Sequence, residues 1–411
     1  MPDYTKIDGV AEDAISKVSG VDVADISKVS GQDKPAGVTT ATRWIAGGSA
    51  GALFTTVEAD ASLGWGLGLV SGGAAAVEGA MVDLGGMNIK DIAYGEDNTG
   101  AKLWVIGTTS PTAEIGYCED DPDALERDFS DGATPRWEAV NLSSSWKAVD
   151  GGPAIAFSNT GGDGGTDRAW VAGGDDVGAA PSSTQSIKRS AGADIPATWT
   201  ILPAGDIPQQ VGETRSVVYK SGRTWFASND NDIWTSTDDG ATWVAVVGAA
   251  LSPNPVYAMA YDGSGKWVAV GRDGNIDFST GDWASDNSQS TNQGTDHTGP
   301  FGTSHIYGVV YCAFPIPYWV ACSAGGKIGY SADGDTWTAA SEDVGTTDHF
   351  RAIATDNTTI VAVGDSGIIY TSTNGTAFTK RSPDIGAATD GVPSEQNLKS
   401  IACDIIGSGM R

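Results

Sequence analysis

Residues 267–274 read WVAVGRDG, residues 319–326 read WVACSAGG and residues 360–367 read IVAVGDSG. Each copy opens on a bulky apolar residue, passes through small and branched apolar residues, and runs into a glycine-bearing turn. The phrase returns as WIAGGSAG at 44–51, WVIGTTSP at 104–111, WVAGGDDV at 170–177 and WFASNDND at 225–232, which makes seven copies. The register is tight among the best of them. Trp44, Trp267, Trp319 and Ile360 are followed four residues on by Gly48, Gly271, Ser323 and Gly364, and seven on by Gly51, Gly274, Gly326 and Gly367. Twelve residues on stand Thr56, Ser279, Ser331 and Ser372. Glycine takes up the positive φ of a tight hairpin turn cheaply, and the flanking alternation has the period of a strand.

A second phrase comes before most copies of the first by one strand and one turn. It reads DIAYG (91–95), AIAFS (154–158), SVVYK (216–220), AMAYD (258–262), GVVYC (308–312), AIATD (352–356) and SIACD (400–404). The two sets are out of step. The copy at Trp44 has no partner before it, and the copy at Ile401 has none after it.

A unit of three to four short strands, repeated every forty to sixty-five residues, has the size of a propeller blade. One such sheet cannot bury both of its faces, so neighbouring sheets must stack and the array must close. The reading is therefore an all-β, seven-bladed β-propeller over residues 39–411. The phase offset implies that one blade is shared between the chain ends, with Trp44 and Ile45 supplied from the front and Ile401 and Cys403 from the back. Residues 1–38 stand outside it as an extended N-terminal arm. A short Ala-rich patch near Ala74–Met81 is the one stretch with helical character.

Composition narrows the function. Fifty-six glycines among 411 residues suit many tight turns, and 52 acidic residues against 24 basic ones leave a net charge of −28. Such a surface repels phosphate backbones and anionic membranes, so neither nucleic acid nor membrane is expected as a partner. It favours solubility and suits a salty medium. Cys118, Cys312, Cys322 and Cys403 show no C-x-x-C spacing and read as small buried hydrophobes. His297, His305 and His349 show no ligand spacing, so no cofactor or metal is expected. The beginning of the chain has no basic-then-apolar leader, and no stretch approaches a membrane span. Synthesis in a cytoplasm without a signal peptide is the expectation.

Residues 236–243 read STDDGATW, which fits S-x-D-x-G-x-x-W, and shorter forms occur at 331–337 (SADGDTW) and 372–378 (STNGTAF). A fragment survives at Ser279–Trp283. These motifs resemble those of the Asp-box, or BNR-repeat, propellers: sialidases, sortilin-type receptors and the photosystem II assembly factors. The physics of the motif gives it a structural role, carried by Ser236, Asp238, Gly240 and Trp243 and again by Ser331, Asp333 and Trp337. Asp238 accepts backbone N–H groups of its own turn, Gly240 supplies the awkward backbone angle, and Trp243 packs the turn onto its sheet.

Catalysis is not expected. The sialidase resemblance implies an arginine triad, a Tyr–Glu pair and an acid–base Asp. Its Arg-Ile-Pro motif has no counterpart, because Arg43 is followed by Trp44 and Ile45 without proline. No convergent set of basic residues can be assembled from the sequence, and no contiguous basic patch stands out. The acidic runs at Asn229, Asp230, Asp232, Asp238 and Asp239, and at Glu119, Asp120, Asp121 and Asp123, lack the twelve-residue calcium loop with its terminal Glu. They read as solvated loops.

The arm contains three elevens: YTKIDGVAEDA, ISKVSGVDVAD and ISKVSGQDKPA, over residues 4–36. Lys6, Lys17 and Lys28 recur, followed by Ile7, Val18 and Val29, with Ile15 and Ile26 opening the second and third elevens. The segment is too small for a core of its own. Short β-branched strands of this kind can add to an edge on another protein. The repeats resemble N-terminal segments of structural proteins from marine tailed bacteriophages, cyanophages included. The resemblance implies a virion component whose arm binds other virion proteins through residues 4–36 while the propeller projects from a symmetric or homo-oligomeric assembly. The alternative is a glycan- or receptor-binding propeller using the loops at 283–304 and 384–396. A lesser one is an assembly chaperone like the photosystem II group, which should use a basic patch.

Overall fold

The computed structural model describes residues 42–49, 88–97, 99–109, 114–119, 154–158, 168–174, 187–191, 199–202, 213–228, 233–246, 254–279, 299–313, 318–342, 347–381 and 397–404. It also describes the backbone of short strands at 6–7, 10–11, 17–18, 21–22, 28–29, 32–33, 53–56, 66–68, 138–141 and 290–292. The Ala-rich patch near Ala74–Met81, the loop at 384–396, Ile15 and Ile26, Asp120, Asp121 and Asp123, and Asn229, Asp230 and Asp232 lie outside the described residues.

The protein is an all-β chain with the architecture of a β-propeller. Among the described residues there are seven sheets of four or five strands. Within each sheet the two sequence phrases form its first two strands. The leading strands are Asn88–Glu96, Ala154–Ser158, Ser216–Ser221, Val256–Tyr261, Ile306–Cys312, Phe350–Thr355 and Leu398–Cys403. Each pairs antiparallel with a strand of the first phrase: Lys102–Thr109, Ala169–Gly173, Thr224–Ser228, Trp267–Gly271, Tyr318–Ser323, Ile360–Gly364 and, for the last, Trp44–Gly48.

Register explains why the phrases recur as they do. The aromatic residue that ends the second phrase stands directly across from the Trp that opens the first: Tyr94 from Trp104, Phe157 from Trp170, Tyr219 from Trp225, Tyr261 from Trp267, and Tyr311 from Trp319. Their ring centroids lie 4.5–4.9 Å apart. Such a pair contributes about 0.5–1.5 kcal/mol beyond its burial. The sixth sheet substitutes Thr355 opposite Ile360, and the last sets Cys403 opposite Trp44. The hydroxyl residues twelve positions on are the partners on the other side, with Ser279, Ser331 and Ser372 facing Trp267, Trp319 and Ile360.

The core lies between sheets. Trp44, Trp104, Trp170, Trp225, Trp267 and Trp319 are all buried, and apolar clusters join side chains of successive sheets. The leading strands pack against one another in chain order, and Leu398–Cys403 lies against both Phe350–Thr355 and Asn88–Glu96. Trp44, Ile401 and Cys403 share a cluster with Ala354, Val361 and Ile369 of the sixth sheet, while Ile45 is buried as well. Arg43 and Asp404 also bond to each other, with N···O distances of 3.0 Å from the Asp404 N–H to the Arg43 carbonyl and from the Arg43 N–H to the Asp404 side-chain carboxylate.

The chain divides into two units, Met1–Thr42 and Arg43–Arg411, where the sequence suggested a boundary after residue 38. Within the first, short described strands pair antiparallel, two to each eleven. Lys6 pairs with Ala11 and Ile7 with Val10; the pairs Lys17–Asp22 and Val18–Val21, then Lys28–Asp33 and Val29–Gln32, repeat the pattern.

Candidate functional site

Two places gather the polar side chains that recur from sheet to sheet. The first is the Asp-box turn. Ser236 Oγ donates to Asp238 Oδ1 at 2.8 Å and accepts the Gly240 N–H at 2.9 Å. The Asp238 carboxylate also accepts the Thr242 N–H at 2.8 Å and the Thr242 hydroxyl at 2.6 Å. Burial alone would raise its pKa, but the bonds from Thr242, Ser236 and Ala241 hold it below the ordinary carboxylate range. Trp243 is buried and donates Nε1–H to the Gly240 carbonyl at 3.1 Å.

The shorter boxes reach the same arrangement with one residue fewer. Ser331 accepts the Gly334 N–H at 2.9 Å, and Trp337 donates to the Gly334 carbonyl at 3.0 Å. Asp333 accepts the N–H groups of Asp335 and Thr336, and its pKa is lowered for the same reason as that of Asp238: desolvation opposes, hydrogen bonds prevail. In the third box Asn374 takes the role of the carboxylate and Phe378 that of the indole.

These turns face the neighbouring sheet. A Cβ added at Gly240 would meet Val171 Cγ2 at 2.7 Å, and one added at Gly334 would meet Val268 Cγ2 at 3.0 Å. In each case the valine belongs to the second strand of the sheet before. Arg189 of that preceding sheet donates Nε–H to the Asp239 carbonyl at 2.6 Å. The turn therefore abuts the second strand of the sheet before it.

The second place is a cavity of about 170 Å³ at the N-terminal ends of the leading strands, to which all seven contribute. Lys90, Arg215, Tyr257, Tyr307, Arg351 and Lys399 line it. Each directly precedes a copy of the second phrase: DIAYG, SVVYK, AMAYD, GVVYC, AIATD and SIACD. In five strands the ladder register shifts at that very residue, between Ile89 and Asp91, Val256 and Ala258, Ile306 and Gly308, Phe350 and Ala352, and Leu398 and Ser400. A bulge inserts one residue and re-aims its side chain away from the alternation of the strand. Lys90, Tyr257, Tyr307, Arg351 and Lys399 are the residues so re-aimed.

The side chains form a continuous arc. The Arg215 guanidinium lies 5.3 Å from the Tyr257 ring centroid, Tyr257 stacks on Tyr307 at 5.6 Å and 21°, and the Arg351 guanidinium lies 4.8 Å from Tyr307. Arg351 then grips Asp365 with two bonds, Nε to Oδ1 at 2.9 Å and Nη2 to Oδ2 at 2.7 Å, and Lys399 Nζ stands 3.6 Å from the same carboxylate. Burial works to raise the pKa of Asp365, but the hydrogen bond and charge of Arg351, with Lys399 and His349, hold it low. Arg215 pairs with Glu213 at 3.0 Å. Asp91 is buried and committed to the framework, accepting the N–H groups of Ile92 at 2.9 Å and Ile155 at 2.7 Å and the Ser400 hydroxyl at 3.1 Å.

The expectation that no basic residues converge is thus corrected. Among the described residues four cations face one cavity against a single lining carboxylate, Asp91. They are scattered over more than three hundred residues of sequence, and only the packing of leading strands assembles them. The signal was available in the position before each second phrase, which reads Lys, Pro, Arg, Tyr, Tyr, Arg, Lys down the seven copies. Guanidinium, ammonium and phenol groups in this arrangement can bind an anion.

The other residues singled out by the sequence fall as follows. Cys118, Cys312, Cys322 and Cys403 are buried thiols, and burial pushes the Cys322 thiol up. Among the described residues no group of His, Cys, Asp and Glu is placed to hold a metal ion, and no helix is long and apolar enough to cross a membrane. His305 and His349 each accept a backbone N–H through Nδ1, from Asp273 at 3.1 Å and Gly325 at 3.0 Å, and so tie one sheet to a turn of the sheet before.

No family model matches the chain, and no curated protein matches its sequence. Among solved structures it is similar to YCF48 bound to D1 peptide, at 14% identity and TM-score 0.43 over 79% of this chain and 97% of that one. It is similar to a chain of a nidogen/laminin complex at 14% identity and TM-score 0.44, covering 74% and 98% of the two chains. The WD40 repeats of RRP9 align at 10% identity and TM-score 0.45, over 69% and 76%. These neighbours are β-propeller and WD40-like folds, and the likeness is one of fold.

Proposed function

We propose that the chain is a structural and adhesive protein of a tailed-phage particle, made in the host cytoplasm, in which a closed seven-bladed propeller is held by an N-terminal arm. The observation that carries this reading is the division of labour between the two units. The sequence of residues 4–36 repeats every eleven residues, and each repeat carries a pair of short antiparallel strands, with Lys6, Lys17 and Lys28 at equivalent paired positions. The second unit has a large core of its own, which the first is too short to build. A repeated short element without a core is suited to docking on a partner, here other virion proteins, and a rigid propeller is suited to presentation.

Closure of the ring is supported by the pairing of Leu398–Cys403 with Trp44–Gly48 and by the packing of Leu398–Cys403 against Asn88–Glu96. Seven blades are supported by the seven sheets and by the two phrases repeated seven times. A role without catalysis is supported by the use of the recurring side chains in spacing and packing: the Asp-box residues set turns and the phrase aromatics fill the core. The test is to delete residues 4–36 and assay incorporation into particles. The reading expects the full chain in purified particles and loss of the truncated chain from them. Equal incorporation of both, or absence of the full chain from particles, would overturn it.

A second reading, a receptor- or partner-binding propeller, is favoured by one observation, the cationic and aromatic cavity at the ends of the leading strands. The two readings are compatible, since a displayed propeller needs something to bind.

A further inference from the structure

We infer that the cavity at the N-terminal ends of the leading strands is a binding site for a carboxylate group. This goes beyond the virion reading and rests on the partner-binding one. The charge is the first argument. A protein with a net charge of −28 gathers Lys90, Arg215, Arg351 and Lys399 around one small cavity, where Asp91 is the only carboxylate among the described lining residues. Asp365 and Glu213 lie beside these cations and remove part of the charge. Counting both, four positive groups face three negative ones. Asp91 accepts two backbone N–H groups and a hydroxyl of the framework.

The construction of the site is the second argument. Five of the residues reach the cavity through bulges in five separate strands. Bulges favour the rims of barrels and the edges of sites, where they aim a side chain. Packing between sheets does not require them, because the core is supplied by the residues that follow in each phrase. The stacked Tyr257–Tyr307 pair holds an arginine at each end, which fixes two long cationic side chains and reduces the entropy lost when they clasp a ligand.

Chemistry suits a carboxylate as the anion. The Arg351 fork holds Asp365 with both oxygens, at 2.9 and 2.7 Å, and an incoming carboxylate would meet the remaining N–H groups of Arg351 beside Arg215, Lys90 and Lys399. A cavity of about 170 Å³ takes one side chain or one small molecule, and no larger body. The carboxylate can therefore come from an acidic residue reaching in from a protein segment, or from a small free organic acid.

The experiment uses the full chain and fluorescence anisotropy with a labelled octapeptide of alternating glutamate and serine. Citrate serves as the small organic acid, and inorganic phosphate as the anion of other geometry. Binding of the peptide is expected to weaken with added salt and to fall roughly tenfold or more in Arg351→Met combined with Lys399→Met. Lys90→Met alone, which leaves the Asp365 pairing untouched, should weaken it by a smaller factor. Lys102→Met, an exposed lysine on the first sheet away from the cavity, should leave it unchanged. Urea unfolding of each variant confirms that it is folded. Competition by citrate assigns the site to a small organic acid, and tight peptide binding without such competition assigns it to a protein segment; either supports the proposal. Three results overturn it: no binding of peptide or citrate, binding undiminished in the Lys90 variant and the double variant, or binding of phosphate alone. Incorporation of the double variant into particles is measured alongside. A wild-type chain that is incorporated normally yet binds no carboxylate sinks this inference and leaves the arm reading standing.

Discussion

Substituting Gly240 by alanine tests whether the Asp-box turn sets the spacing between sheets. The new Cβ would stand 2.7 Å from Cγ2 of Val171 in the preceding sheet. Non-bonded carbons rest at about 3.5–4.0 Å, so the sheets or the valine must yield by most of an ångström. Val171 is fully buried among Ala169, Ile187, Trp225 and Trp243, and overpacking of this kind costs about 1–3 kcal/mol. Gly240 also has φ of +77°, and a β-carbon in the left-handed region adds about 1–2 kcal/mol. The sum is about 2–5 kcal/mol of lost stability. Val171→Ala removes the colliding methyl groups and by itself loses about 2 kcal/mol of burial. In the double variant the collision is gone and the backbone strain remains. The two changes should then couple favourably by about 1 kcal/mol or more. Urea unfolding followed by tryptophan fluorescence, on wild type, both single variants and the double, gives the cycle. If Gly240→Ala is neutral, or if the two losses add to within about 0.5 kcal/mol, the spacer reasoning is wrong.

Three further outcomes are expected. The Asp238 pKa is depressed in the folded protein, so its stabilisation is complete above the unfolded carboxylate value of about 3.9 and is lost as pH falls through the folded value. Asp238→Ala should therefore lower the urea midpoint clearly at neutral pH and progressively less at about pH 3 and below; a difference independent of pH would count against the hydrogen-bond account. Asp91→Ala leaves the Ile92 and Ile155 N–H groups and the Ser400 hydroxyl without their acceptor, and should cost about 2–4 kcal/mol, with Ser400→Ala costing about 1 kcal/mol; equal losses in urea unfolding would show that Asp91 does not join the three strands. The Cys322 thiol is fully buried and its pKa is raised, so an aromatic disulfide reagent such as Ellman's should fail to label it in the native chain and react on unfolding, as read by mass spectrometry of labelled peptides.

The sequence by itself determined the repeating strand pair and its register, because those depend on local alternation, turn glycines and the cross-strand meeting of Tyr94 with Trp104 or Tyr261 with Trp267. It also made a local turn legible at 236–243, where Ser236, Asp238 and Thr242 bond within seven residues of one another. The offset between the two phrases foretold that Trp44 and Ile401 belong to one sheet. The sequence did not reveal the cavity. Lys90, Arg215, Arg351 and Lys399 are separated by dozens to hundreds of residues, and each alone reads as a surface cation. Their convergence needs leading strands laid side by side and bulges that turn Lys90, Arg351 and Lys399 off the alternation. Periodicity is a local property of a chain, whereas the meeting of like charges in one mouth is decided only when distant strands pack.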